Sequence, residues 1–185
     1  MPELVGAARA AGSAAGFPYS SDERVGRLLA VLAASVPERG RILELGTGTG
    51  VGTAWLVSGL GGRSDVEVVT VESDEGRAAL LRTMPWPPCV RLVAADAVEQ
   101  LRTLGTFDLI FADAPGGKWE RLDLTIQALR PGGFLLVDDM TPQATWDGEQ
   151  HEKQHGVAQG LLTHGDLVSV DMDFATGVVL CARAH

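Results

Sequence analysis

The sequence predicts an α/β fold, a doubly wound and mostly parallel sheet that ends in an antiparallel hairpin. Three observations carry this. Short β-branched runs alternate with helical segments along most of the chain, the first run leads straight into glycines spaced two apart, and only a tight turn separates the last two runs.

Ala/Gly-rich residues 1–19 read as a flexible arm within a single domain spanning 1–185. Ser20-Ser-Asp-Glu23 then has the spacing of a capping box and predicts a leading helix over 20–36. Val25, Leu28, Leu29, Leu32 and Ala33 recur at helical spacing until Pro37 ends the run. Strands follow at Arg41–Leu45, Val66–Val71, Val90–Ala94, Phe107–Ala112 and Phe134–Val137. Their near-continuous apolar character predicts burial on both faces, with helices crossing over between parallel neighbours. Leu167–Asp171 and Val178–Cys181 lie too close together for a crossover and predict the hairpin.

Composition narrows the function. A net charge of -9 and a pI near 4.8 argue against nucleic acid as partner and favour a small molecule. Cys89 and Cys181 form neither a disulfide framework nor a thiolate metal motif, which suits a reducing cytoplasm. No segment reads as an export signal or reaches transmembrane length, so a membrane partner is not expected.

In doubly wound sheets ligands sit beyond the carboxyl ends of the strands. Here Gly46, Gly48 and Gly50 follow the first strand, Glu72 ends the second, Asp96 follows the third, Asp113 ends the fourth, and Asp138 with Asp139 ends the fifth. Glu44, just before the glycine turn, could meet a cationic group. The six-position glycine spacing of a dinucleotide site is broken, because Val51 and Thr53 stand where its last glycine would be. A cofactor without a pyrophosphate would need the turn but not the phosphate cradle, and S-adenosylmethionine is such a cofactor.

Over residues 20–185 the chain resembles the class I S-adenosylmethionine-dependent methyltransferases, a Rossmann-like fold. The motifs are LELGTGTG, VVTVES with Glu72, VAADA with Asp96, FDLIFADA ending at Asp113 and its neighbour, and LRPGGFLLVDD. The resemblance implies that Gly46, Thr47, Gly48 and Gly50 wrap the methionine part of the cofactor. It also implies that Glu72 binds the ribose hydroxyls and that Asp96 lies near the adenine. Asp113-Ala-Pro-Gly116 departs from the Pro-Pro-Tyr pattern of enzymes acting on base or amide nitrogen. The chain looks more like catechol-type and caffeoyl-coenzyme-A-type O-methyltransferases, which implies a hydroxyl acceptor and a divalent cation such as Mg2+ held by Asp113, Asp138 and Asp139. Asp139 replaces that family's Asn, and its Asp-x-x-Lys is absent, the lysine being Lys118. Asp113 and Lys118 are the catalytic candidates, with Lys118 read as a general base or as an exposed lysine at a helix start.

His151-Glu-Lys-Gln-His155 matches the zinc-protease motif, but its neighbourhood has almost no apolar face, so it reads as a solvated segment near the acceptor entrance. Trp86, Trp119 and Trp146 are candidates for an aromatic pocket, with packing the plainer reading. An open pocket would be completed by the N-terminal arm or by a second subunit in a homodimer. The alternatives are an NAD(P)-dependent oxidoreductase and a methyltransferase fold retained as a catalytically inactive binding module.

Overall fold

The computed structural model describes residues 1–142 and 147–185. The elements run α1 (Glu3–Ala14), α2 (Glu23–Ser35), β1 (Arg41–Leu45), α3 (Val51–Gly59), β2 (Glu67–Glu72), α4 (Glu75–Leu81), β3 (Val90–Ala94) and α5 (Ala97–Leu101). They continue as β4 (Phe107–Ala112), the irregular turn α6 (Pro115–Lys118), α7 (Leu122–Ala128), β5 (Leu129–Val137), α8 (Gly148–Leu162), β6 (Leu167–Met172) and β7 (Val178–Arg183). The seven strands form one sheet in the order β3-β2-β1-β4-β5-β7-β6. β1 to β5 pair in parallel, and β7 is antiparallel to both β5 and β6. The order reverses at β1 and β4, so the loops after these two strands diverge and leave a crevice.

Side-chain alternation along each strand divides the core. Ile42, Val68, Leu109 and Phe111 face α1, α2 and α3, whereas Leu43, Leu45, Val69 and Ile110 face the layer of α5, α7 and α8. The expected strands are present, with β5 lengthened to begin at Leu129 through a register shift opposite Phe107 and Leu109. The expectation of two-faced burial fails at β3, an edge strand whose residues are half-buried or exposed.

Two local readings are corrected. The expected flexible arm contains a 12-residue helix, α1, which buries Val5, Ala8 and Gly12. Alanine and small residues favour a helix when tertiary contacts can cover one face, and α3 provides that cover here. The leading helix starts at Glu23 rather than at Ser20. Its N-cap is Asp22, whose carboxylate accepts from Arg24 N–H at 2.7 Å, so the Ser20 capping box does not form.

Candidate active site

A cavity of about 930 Å3 opens over the carboxyl ends of the parallel strands. It is lined by Gly46, Thr47, Gly48, Glu72, Asp96, Asp113, Lys118, Asp138 and Asp139, so nearly all of the expected site residues meet in one place. Among the described residues, seven of the lining side chains are acidic and only Arg77 and Lys118 are basic. Such a wall favours a cationic ligand and opposes a pyrophosphate.

The backbone N–H groups of the glycine turn are committed within the protein. Gly46 and Thr47 N–H both donate to the Val71 carbonyl, Gly48 N–H to Glu72, and Gly50 N–H to the Thr47 carbonyl. What the glycines provide is close approach. Gly46 has φ +94°, and a Cβ there would lie 2.7 Å from the Asp113 carbonyl oxygen, which the crossover between β1 and β4 brings alongside. Gly50 is the left-handed N-cap of α3 and packs against the Trp86 ring outside the cavity lining. Trp86 is therefore a packing residue, its indole N–H donating to the Leu81 carbonyl.

Glu44 does not reach the cavity. Strand alternation places it with Ile42 on the α3 side, where Thr53 and Thr70 donate to its carboxyl. Gly52 leaves the room it needs. Burial pushes this carboxyl up to about 7, with the two hydroxyl donors opposing the shift. The expectation that Glu44 meets a ligand cation thus gives way to a buried hydroxyl–carboxyl network beneath the loop.

Glu72 is buried and oriented on three sides. It accepts from Gly48 N–H at 2.9 Å, from Asp74 N–H at 2.8 Å and from the Arg77 guanidinium at 2.9 Å. Asp96 caps α5 by accepting from Glu99 N–H, and it also stands at the cavity rim, so capping and ligand contact are compatible.

At the other end, β5 stops at Val137 and Asp139 takes a left-handed φ of 57°, so Asp138 and Asp139 are freed from strand alternation. One Asp138 oxygen accepts from Asp139 N–H at 2.7 Å and also from the Thr176 hydroxyl. Asp113 is half-buried at the cavity wall, and desolvation raises its carboxyl well above the ordinary range; Lys118 opposes the shift, and the neighbouring acids add to it. Desolvation likewise raises Asp138. Lys118 is 3 % exposed, which overturns its reading as an exposed lysine. Its ammonium donates to the Asp138 carbonyl at 3.1 Å, approaches Asp139 at 3.8 Å and lies 5.5 Å from the centre of the Trp119 ring.

The expected metal centre does not take shape here. Among the described residues no group of three or more His, Cys, Asp and Glu side chains is placed to hold an ion as the chain stands, neither the three aspartates nor His151 and His155 with Glu152. The two histidines lie on α8, which Asp147 caps; His155 is exposed, and the buried side of the helix is Gln154, Val157 and Leu161. Trp119 lines the cavity, and Trp146 lies outside the described residues.

Sequence reasoning missed several lining residues. Phe17 and Tyr19 of the N-terminal arm pack edge to face at the rim, and the Arg77 guanidinium lies 5.4 Å from the Phe17 ring centre. The arm thus supplies this wall. Thr49 also lines the cavity, but its hydroxyl is buried against Gly12 of α1 and has no hydrogen-bond partner among the described residues. The signal for Arg77 was present, since the Asp74 cap of α4 fixes it one turn from Glu72.

A family model described as a methyltransferase domain matches residues 43–140, more than half of the chain. A catechol O-methyltransferase from Mycobacterium tuberculosis is 33% identical over 142 residues, which cover 72% of this chain and 63% of that protein. A Mycobacterium sp. (strain JLS) relative, provisionally named an O-methyltransferase, is 34% identical over 119 residues, covering 61% of this chain and 54% of its own length. The chain thus spans about half the length of the first curated relatives it matches. Among solved structures, an O-methyltransferase from Streptomyces achromogenes, involved in tomaymycin synthesis and in complex with SAM, superposes with a TM-score of 0.81 at 22% identity. That match covers 100% of this chain and 91% of the other. A Bacillus cereus O-methyltransferase in complex with SAH gives 0.82 at 20% identity, covering 99% and 91%. These two likenesses carry the fold, and the family match carries the assignment: the chain belongs to the methyltransferase-domain family.

Proposed function

We propose that this chain transfers a methyl group from S-adenosylmethionine to a hydroxyl oxygen of a small-molecule acceptor. The observation that carries the reading is the acid-lined cavity at the sheet's switch point, with an oriented Glu72 at one end and Lys118 among three aspartates at the other. The residues suit the cofactor. It is a sulfonium with an ammonium group, which the acidic wall attracts. In this reading Gly46 to Gly48 flank its methionine part, Glu72 accepts from its ribose hydroxyls, and Asp96 lies toward its adenine.

When bound, S-adenosylmethionine supplies an electrophilic methyl group, and transfer forms an O–C bond as the C–S bond breaks. Asp113 takes the acceptor's hydroxyl proton. Burial raises that carboxyl above the ordinary range, so its ionised form is a stronger proton acceptor than an exposed aspartate. Lys118 already lies against the Asp138 carbonyl and the Asp139 carboxylate, so it serves as the cation that meets the acceptor oxyanion and not as the general base. Enclosure between the N-terminal arm and the strand ends restricts the approach of the two reactants, which supplies part of the acceleration.

The reading also has the protein working in the cytoplasm, supported by the free thiols Cys89 and Cys181. No helix among the described residues is long and apolar enough to cross a membrane. Calorimetric titration with S-adenosylmethionine and with NADH tests the cofactor, with binding expected for the first alone. Transfer of labelled methyl to a panel of phenols tests the chemistry. Binding of NADH alone overturns the reading, and cofactor binding without transfer to any phenol favours the inactive binding module.

A further inference from the structure

We infer that the Lys118 ammonium occupies the place of a divalent cation among Asp113, Asp138 and Asp139, so that the acceptor end of the cavity works without a metal. The inference rests on the acceptor site proposed above. Its basis is how the chain builds this corner.

Two features drive Lys118 inward. Gly117 turns with φ +88° at a point where a Cβ would lie 2.5 Å from Leu45, and Thr125 donates to the Gly117 carbonyl at 2.6 Å. The turn is thereby pinned against the core, and the next side chain enters the cavity floor. There the ammonium meets the Asp138 carbonyl, the Asp139 carboxylate and the Trp119 ring, a set of electron-rich groups around one positive charge. Its charge also acts on Asp113 and on Asp138.

The same contacts leave a metal poorly served. One Asp138 oxygen is already committed to Asp139 N–H and the Thr176 hydroxyl. The other ligands would have to face a dication beside a fixed ammonium, where like charges repel in a poorly hydrated site. An ammonium and a metal ion also differ in what they can bind. A metal ion can chelate two neighbouring oxygens, whereas one ammonium presents hydrogen bonds to a single oxyanion. The acceptor class that follows is a phenol or similarly acidic alcohol in which one hydroxyl suffices.

Binding of Mn2+ to the full chain, followed by electron paramagnetic resonance with and without S-adenosylmethionine, tests the inference directly. The wild type is expected to leave Mn2+ free at concentrations that saturate metal-dependent sites. Lys118→Met, which keeps the bulk and removes the charge, is expected to bind it about tenfold or more tightly than the wild type. Lys118→Arg, which keeps the charge, should behave as the wild type. Circular dichroism on each variant shows whether it folds, and the wild-type result stands even if Lys118→Met does not. Stoichiometric Mn2+ binding by the wild type overturns the inference, as does a folded Lys118→Met that gains no affinity. Calorimetry with S-adenosylmethionine on the same samples separates the two levels. A chain that ignores the cofactor defeats the proposed function, whereas the metal result is read independently of it.

Discussion

The two ends of the cavity solve the problem of buried acids in opposite ways. At the Glu72 end the carboxylate is met by two backbone N–H groups and a guanidinium, so the charge is fully compensated before any ligand arrives. At the Asp113 end three aspartates share one lysine, and burial raises both Asp113 and Asp138. A compensated carboxylate makes a fixed hydrogen-bond acceptor, which suits holding a cofactor. An under-compensated group can exchange a proton, which suits chemistry. The difference teaches that similar acids at successive strand ends acquire their roles from their donors.

The largest effect should come from breaking the reactive end. Asp113→Asn keeps the shape and removes the proton acceptor, so methyl transfer should fall by about 10²- to 10⁴-fold while calorimetry shows cofactor affinity within a few-fold of wild type. An equal loss in cofactor affinity would make Asp113 a binding group and dissolve the contrast.

Glu44 extends the comparison beneath the loop, because it is buried with hydroxyl donors and, among the described residues, no cation is bonded to it. Its folded-state value is raised to about 7 from 4.5. Below the lower value both states are protonated and the group costs nothing. As pH rises through that window the unfolded chain releases the proton while the folded one retains it, so stability falls and then levels above the upper value. The loss is at most about 3 kcal/mol. Glu44→Gln should flatten this slope, leaving the part due to Asp113 and Asp138. Urea midpoints at pH 5 and pH 8 measure it, and an unchanged slope would mean that Glu44 is ionised in the fold.

At the compensated end, Glu72→Gln turns an acceptor pair into one acceptor and one donor. It leaves Gly48 N–H, Asp74 N–H and Arg77 competing for a single oxygen. Cofactor affinity should drop by roughly ten- to a hundredfold, about 1–3 kcal/mol, with methyl transfer at saturation nearly kept. A turnover defect at saturating cofactor would show that this end also takes part in the chemistry.

Much of this was legible in the chain. Near-continuous apolar runs fixed the strands, and strand ends located the acids, since a parallel sheet delivers them all to one edge. Two kinds of information were not. Glu44 lies next to the glycine turn, which suggests a ligand contact, yet alternation from Ile42 points it at α3, and parity decides. The inward path of Lys118 depends on the Gly117 turn and on Thr125, a contact across eight residues that no local pattern reveals. The helix at Glu3–Ala14 needed α3 as its partner, so its composition alone read as flexible.

Asp96 offers the smallest effect and the finest discrimination, because at the rim one side chain can do two jobs. It caps α5 through Glu99 N–H, a contact that Asn can also make. Asp96→Ala should cost about 1 kcal/mol of stability, read by thermal denaturation, whereas Asp96→Asn should cost almost none. A role toward the adenine amino group would appear as weaker cofactor binding in Asp96→Ala beyond what Asp96→Asn loses, since the Asn side-chain oxygen can either cap or receive an amino donor. If Asp96→Ala binds the cofactor as the wild type does, the residue is a helix cap alone, and the compensated end of the cavity reduces to Glu72 and the glycine turn.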